Sequence, residues 1–173
     1  MSDSLSEFSE KFSWYKKIAD KRIYELSADR KVIASLIWTK DNGTLAEGSS
    51  AEGKWTFKRS GFFRPVVTIR KLNDEKNFAV LKFSWAGESE LSLSNGKKYF
   101  LKNLNLWRGE WGFIDEKENI VLQTVPNYNK RGADGFVYFN YKSVPKEELY
   151  LLILLNWYII VSYSEEETIL SAK

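Results

Sequence analysis

Hydrophobic and polar residues alternate along most of the chain after residue 21, with short breaks of turn-forming residues. In residues 54–59, for example, Trp55 and Phe57 fall on one face and Lys54 and Lys58 on the other, as in a strand with one buried face. The strands predicted in this way cover residues 22–28, 31–39, 44–49, 54–59, 66–72, 77–85, 90–94, 98–101, 110–114, 119–125 and 136–141. About a dozen short strands at regular spacing predict an antiparallel β-sandwich or β-barrel.

The first twenty residues show a different period. Ser4 and Glu7 match the S-x-x-E capping box that starts many helices. Apolar residues then recur at three- and four-residue steps, at Leu5, Phe8, Phe12, Tyr15 and Ile18. This spacing predicts a short N-terminal amphipathic helix over residues 1–20 with one apolar face. We expect this helix to pack as a lid on the body of strands.

A long apolar run lies near the other end of the chain, where thirteen of the fifteen residues 149–163 are aliphatic or aromatic. Pro145 suits the first turn of a helix, and the acidic residues that follow suit the positive end of its dipole, so we predict a helix over residues 145–163. Its apolar part would be only about 22 Å long, whereas a bilayer core needs about 30 Å. The central Asn156 adds a further cost in lipid. The run therefore predicts a helix buried in protein rather than a transmembrane segment.

A helix that is apolar on every side has to be surrounded by protein. A closed barrel of about twelve strands has room for a helix about 10 Å across, whereas eight strands leave room only for side chains. We therefore predict a single domain over residues 1–173, mainly β, in which residues 21–142 form a closed antiparallel β-barrel around a C-terminal hydrophobic helix. Asn156 would then bond to strand backbone or tyrosine hydroxyls. A strand over residues 158–163, where Ile and Val are concentrated, is the alternative.

Four segments of the chain carry a family resemblance. They are Asp41-Asn42-Gly43-Thr44-Leu45, Trp55-Thr56-Phe57, Asn95-Gly96-Lys97 and the apolar run from Leu149, in that order. Together with the terminal helix they resemble the tubby C-terminal-like superfamily, which includes tubby proteins, phospholipid scramblases and the plant LURP-one-related proteins. The resemblance covers nearly the whole chain after Lys21 and is closer to the small LURP-one type than to tubby itself. It implies a wide closed β-barrel threaded by its C-terminal helix.

Composition removes several classes of chemistry. The 173 residues include neither Cys nor His, which excludes disulfides, zinc–thiolate sites, thiol nucleophiles and serine–histidine triads. The sequence contains neither a complete calcium-binding loop nor a phosphate-binding glycine loop. We therefore expect no metal, no cofactor and no catalytic residue. A net charge of +3, from 26 basic and 23 acidic residues, is too balanced to indicate nucleic acid as a partner.

One cluster of charges indicates a binding role. Residues 54–71 contain no acidic residue and six basic ones: Lys54, Lys58, Arg59, Arg64, Arg70 and Lys71. We predict that Lys54, Lys58, Arg59 and Arg64 bind anionic phospholipid headgroups, with Phe62 and Phe63 entering the interface from the turn between two strands. The alternative is a solvated strand face whose charges discourage aggregation at sheet edges.

The sequence thus predicts a non-enzymatic binding module, with an anionic lipid or a partner protein bound on the barrel exterior. We expect it to be cytoplasmic, because the first residues lack the basic and apolar regions of a signal peptide. Two other functions stay open. One is a lipocalin-like small-ligand carrier, suggested by the G-x-W triplet Gly53-Lys54-Trp55. The other is an enzyme with an unrecognised pair of carboxylates.

Overall fold

The computed structural model describes residue 5 and residues 8–84, 88–129 and 132–171. Over these residues the chain forms twelve strands and one helix: β1 (Glu10–Lys16), β2 (Ile23–Ala28), β3 (Lys31–Trp38), β4 (Leu45–Ser50), β5 (Gly53–Ser60), β6 (Val66–Lys71), β7 (Asn77–Lys82), β8 (Ser89–Leu93), β9 (Lys98–Asn105), β10 (Glu110–Ile114), β11 (Ile120–Asn129), β12 (Gly132–Phe139) and α1 (Lys146–Ser171). The two-residue period produces the expected strand faces. In β5, Trp55 and Phe57 are completely buried, whereas Lys54 and Lys58 are exposed.

The strands form one closed barrel in which each strand pairs antiparallel with its neighbours in the chain. The ring closes between β1 and β12, where Glu10 lies opposite Phe139 and Trp14 opposite Gly135. The predicted closed antiparallel barrel of about twelve strands is therefore confirmed. Each of the eleven strands predicted from the sequence overlaps one of β2 to β12. The strand predicted over residues 77–85 ends at Lys82, and Trp85 lies outside the described residues.

The prediction of an N-terminal helix is wrong within the described residues, because Glu10–Lys16 forms strand β1. The predicted capping box, in residues 4–7, lies largely outside the described residues. Phe12 and Trp14 are buried in the barrel core, so a two-residue period governs this segment in place of the three- and four-residue steps. Pairing with both β2 and β12 closes two sheet edges that would otherwise expose unpaired backbone groups. The backbone hydrogen bonds gained with the two neighbouring strands outweigh the local preference of these residues for a helix.

Helix α1 begins close to the predicted position and continues past residue 163, its predicted end. Its side chains from Leu149 to Val161 are at most 7% exposed. The helix contacts β3, β4 and β5 on one side of the ring and β10, β11 and β12 on the opposite side, which places it inside the barrel. Gly48 on β4 permits the close approach, because a Cβ at this position would lie 3.1 Å from Leu154 Cδ1 and 2.7 Å from the Phe57 ring.

Asn156 is the polar residue within this buried span. Its Nδ2 donates a hydrogen bond to the backbone carbonyl oxygen of Trp111 on β10, at 3.2 Å. The prediction that this side chain bonds to strand backbone is confirmed, and the bond ties the middle of the helix to the barrel wall. Within the described part of the chain, no helix combines the length and low polarity that a membrane span requires.

The helix runs from one end of the barrel to the other. Near its start, Glu148 accepts hydrogen bonds from the Tyr99 hydroxyl at 2.5 Å and from Lys97 Nζ at 3.2 Å, and Glu147 pairs with Lys71 at 2.7 Å. Burial, together with the Glu148 carboxylate, raises the pKa of Tyr99. We call this the lower end of the barrel; it carries the turns that follow β2, β4, β6, β8 and β10. The upper end, where the helix emerges, carries the turns that follow the odd-numbered strands.

Candidate functional site

The last turns of α1 reach the upper end, where Arg22 holds them. Arg22 donates from Nε and Nη2 to the two carboxylate oxygens of Glu165, at 3.1 and 2.5 Å. Its Nη1 donates to the backbone carbonyls of Lys40, Asp41 and Gly43, at 3.0, 3.2 and 2.8 Å. All three guanidinium nitrogens are therefore engaged within the protein, and Arg22 acts as a structural cation between the β3–β4 turn and the helix.

Arg59 is held in a similar way at the same end. Its guanidinium pairs with the Glu166 carboxylate and lies 5.9 Å from the centre of the Tyr163 ring. The Arg59 backbone N–H donates to the Tyr158 hydroxyl at 3.0 Å, and that hydroxyl donates to the Thr44 carbonyl at 2.5 Å. Burial raises the pKa of Tyr158 to about 12, so this hydroxyl keeps its proton at neutral pH. Arg59 thus secures the helix inside the barrel and does not face the exterior.

A cavity of about 320 Å³ lies beside these two ion pairs, between the β3–β4 turn and the end of the helix. Glu165 and Glu166 already neutralise its two arginines, and Asp41 adds a further negative charge to the wall. The cavity therefore has no surplus positive charge with which to hold an anion. A second cavity, of about 300 Å³, lies at the lower end and mixes three lysines with two acidic residues: Lys97, Lys98, Lys117, Asp115 and Glu116.

The four basic residues predicted as a site do not share one surface. Lys54 and Lys58 are both exposed on the outer face of β5, but the intervening strand separates them by about 13 Å. Lys54 therefore lies towards the lower end and Lys58 towards the upper end. Arg64 is exposed in the β5–β6 turn at the upper end, whereas Arg59 points inward. Of the four, Lys58 and Arg64 are the two that are exposed towards the upper end.

The β5–β6 turn, residues 61–65, projects two aromatic rings from the upper end. Phe62 is 88% exposed and Phe63 is 82% exposed. The two rings lie edge to face, with their centres 5.1 Å apart. Gly61 makes the tight turn possible, because its φ is +85° and a Cβ there would lie 2.7 Å from the Arg64 carbonyl oxygen. Rings this exposed bury little surface within the fold, so they indicate contact with another apolar surface.

A second apolar turn was missed in the sequence. It is the β9–β10 turn, residues 106–109, in which Leu106 is 78% exposed and Trp107 is 97% exposed. The Asn105 side chain accepts a hydrogen bond from the Arg108 backbone N–H at 3.3 Å, and Gly109 has a φ of +62°. The sequence did contain a signal for this exposed turn. Asn105 and Gly109 are turn-forming residues, and Leu106 and Trp107 lie between them, in the turn and not on the buried face of a strand.

The two ends of the barrel also differ in charge. In the described turns of the upper end, six residues are basic and three acidic: Lys17, Lys21, Arg22, Lys40, Arg64 and Arg108, against Asp20, Asp41 and Glu88. In the strand-to-strand turns of the lower end, four are basic and seven acidic: Arg30, Lys76, Lys97 and Lys117, against Asp29, Glu52, Asp74, Glu75, Asp115, Glu116 and Glu118. Three of these basic residues are paired with carboxylates, Arg22 with Glu165, Lys17 with Glu25 and Arg108 with Glu110, and Glu88 is paired with Lys102. The remaining charges of the described upper turns are Lys21, Lys40 and Arg64 against Asp20 and Asp41, which is a small positive excess. Exposed aromatic rings and a small excess of positive charge therefore occur at the same end, beside the paired Glu165 and Glu166 of the helix.

Comparison of the chain with protein-family models, curated proteins and solved structures finds no match. Among the described residues, no group of three or more acidic side chains is placed to hold a metal ion. Function is therefore inferred from the sequence and structure of this protein alone. Its features define a closed β-barrel whose interior is occupied by a helix and whose upper end carries aromatic and basic turns.

Proposed function

We propose that this protein is a non-enzymatic binding module that attaches to anionic phospholipid surfaces through the upper end of its barrel. The observation that carries the proposal is the β5–β6 turn, where Phe62 and Phe63 project almost fully exposed beside Arg64 and Lys58. Phe side chains insert at the boundary between headgroups and acyl chains, and basic residues beside them attract anionic headgroups. Arg59, which the sequence grouped with these residues, is left out because Glu166 neutralises it.

The two kinds of contact have comparable strength. Fully burying an aromatic side chain contributes about 1.5–3 kcal/mol, and each basic residue close to an anionic surface contributes about 1 kcal/mol. Two rings and two cations together would contribute roughly 5–8 kcal/mol as an upper estimate. Neither pair alone would give firm attachment, so the proposal relies on the two rings and Arg64 lying on one turn, with Lys58 on the adjoining strand β5.

The resemblance to the tubby C-terminal-like superfamily forms part of this proposal. A closed twelve-stranded barrel around a C-terminal helix is the architecture that the resemblance implies, and the group includes the phospholipid scramblases. We also propose a cytoplasmic location, since the cytoplasmic leaflet is the anionic one. Because α1 fills the interior that a small-ligand carrier would need for its ligand, we favour binding on the exterior.

The test is co-sedimentation with vesicles of phosphatidylserine and phosphatidylcholine, compared with vesicles of phosphatidylcholine alone. Replacing Lys58 and Arg64 by Gln should weaken binding to the acidic vesicles about 25-fold, from two contributions of about 1 kcal/mol. The matched control, Lys54→Gln with Arg70→Gln, removes the same charge from the lower part of the same wall and should bind nearly as the wild type does.

A second pair of substitutions separates the apolar contribution from the charges. Phe62→Ser with Phe63→Ser should weaken binding while leaving its salt dependence unchanged, because screening acts on charges and not on buried rings. The Lys58 and Arg64 variant should show a weaker salt dependence than the wild type. Equal binding by wild type and both variants, or no binding by the wild type, would remove the lipid proposal and favour a partner protein.

A further inference from the structure

The exposed apolar turns of the upper end are regularly placed around the barrel. Within the described turns, large exposed apolar residues occur after β1, β5 and β9: Ile18 at 49% exposure, Phe62 and Phe63, and Leu106 and Trp107. These turns recur at every fourth strand of a closed ring of twelve. They are therefore spaced by about 120° around the barrel axis. Three such points define a plane that crosses the axis.

Each of the three turns also carries an exposed basic residue. Lys21 closes the β1–β2 turn, with its backbone N–H donating to the Ile18 carbonyl at 3.1 Å. Arg64 follows the two phenylalanines in the β5–β6 turn, and Arg108 follows Trp107 in the β9–β10 turn. Arg108 lies 3.7 Å from the Glu110 carboxylate, which partly neutralises its charge. The Ile18 tip and the Phe62–Phe63 tip thus each combine an apolar surface with a cation, which is the combination that complements an anionic bilayer surface. The Leu106–Trp107 tip contributes mainly apolar contact.

We propose that the barrel stands end-on at the membrane, with its axis near the bilayer normal and all three turns entering the interface together. This inference rests on the proposed function and adds the orientation of the bound protein and two contact points, the Ile18 turn and the Leu106–Trp107 turn. It also places the end of helix α1 and the Arg22–Glu165 pair against the headgroups. The acidic lower end faces away from the membrane.

The arrangement of the tips favours a membrane over a protein partner. A specific protein interface has a contiguous buried core, whereas these tips are separated by other strands and by polar turn residues such as Lys40 and Asn42. A fluid bilayer accommodates separate protrusions without a matching shape, and an anionic one supplies negative charge to Lys21 and Arg64. A second copy docking through the same face would present the same cations, whereas docking through its acidic lower end is the alternative that the measurement without vesicles tests.

The test uses the absence of cysteine from the chain. Single cysteines are introduced as Ile18→Cys, Phe63→Cys and Trp107→Cys, each labelled with an environment-sensitive fluorophore. Glu75→Cys and Glu116→Cys serve as matched controls in exposed turns of the lower end. Each labelled protein is mixed with vesicles of phosphatidylserine and phosphatidylcholine, and a lipid carrying a spin label at a known depth is added as quencher.

End-on binding predicts a blue shift and quenching at all three upper positions and neither at positions 75 and 116. Response at position 63 alone, or at a control position, would overturn the end-on orientation while leaving membrane binding intact. Sedimentation of none of the proteins with vesicles, unlabelled wild type included, would overturn the proposed function as well. A shift at the tips that rises with protein concentration without vesicles would assign this face to a second copy of the chain.

A second measurement does not depend on labels. Replacing Leu106 and Trp107 together by Ser should weaken binding to acidic vesicles about tenfold or more, since two apolar side chains would no longer be buried. Unchanged binding by this variant, with Phe62→Ser and Phe63→Ser still weakening it, would restrict the contact to the β5–β6 turn and overturn the end-on arrangement.

Discussion

Replacing Trp157 by Ala tests whether the helix is packed as the core of the barrel. Trp157 is completely buried. Its ring stacks on that of Trp14 with centres 5.3 Å apart, and it meets Tyr24 edge-on at 5.9 Å. A buried Trp→Ala change costs about 3–5 kcal/mol, and two aromatic partners at about 0.5–1.5 kcal/mol each put the expected loss in the upper part of that range. Total stability is about 5–15 kcal/mol, so much of it would be lost.

The assay is equilibrium unfolding in urea, followed by far-ultraviolet circular dichroism because the substitution changes tryptophan fluorescence. Trp107→Ala is the matched control, since Trp107 is 97% exposed and its loss should change stability by no more than about 0.5 kcal/mol. If Trp157→Ala lowers the free energy of unfolding by less than about 1.5 kcal/mol, or if both variants lower it equally, Trp157 is not packed in the barrel core. If Trp157→Ala does not fold, Trp157→Phe replaces it. This variant should lose less stability than Trp157→Ala would, but more than the control Trp107→Ala.

Two further outcomes are expected. Deleting residues 145–173 should abolish soluble, cooperative folding because the inward faces of the strands would lose the helix they pack on; a soluble truncated chain with a sharp thermal transition would contradict this. Hydrogen bonds from Lys17 and Tyr15 hold the pKa of Glu25 below its ordinary value of 4.5. This carboxylate therefore stabilises the fold above pH 4.5, and the stabilisation is lost as pH falls through the lower folded pKa. A carbon-detected NMR titration that placed this pKa at or above 4.5 would contradict the assignment, and Glu25→Gln should reduce the acid sensitivity of unfolding.

Most of the fold could be predicted because its signals are local. The alternation of Trp55 and Phe57 with lysines specifies a strand from six residues alone. The run from Leu149 to Val161 has no polar face, and a helix that is apolar on every side has to be enclosed by protein. The strand at Glu10–Lys16 could not be predicted in this way, because it is selected by pairing with β12 more than one hundred residues later. Its own residues fit a helical period equally well.

The candidate site was predicted only in part, for a related reason. Strand alternation places Arg59 on the face opposite Lys58, and this could have been inferred from the sequence. Its partner Glu166 could not, because that contact depends on how far the helix extends through the barrel. The link between Phe62 and Trp107 becomes apparent only when the strands are known to alternate in direction, which brings the turns after β5 and β9 to the same end.

The pairing of β1 with β12 has a consequence for the synthesis of the protein on the ribosome. The barrel cannot close until residue 139 has been synthesised, and helix α1, which fills its interior, is synthesised after all twelve strands. At about 5–20 residues per second, roughly 6–26 s pass between the synthesis of Glu10 and that of its partner Phe139. During that time the early strands have an unpaired edge and lack the helix that they pack on, so the barrel cannot close before its last strand has been made and cannot be filled before its helix has been made.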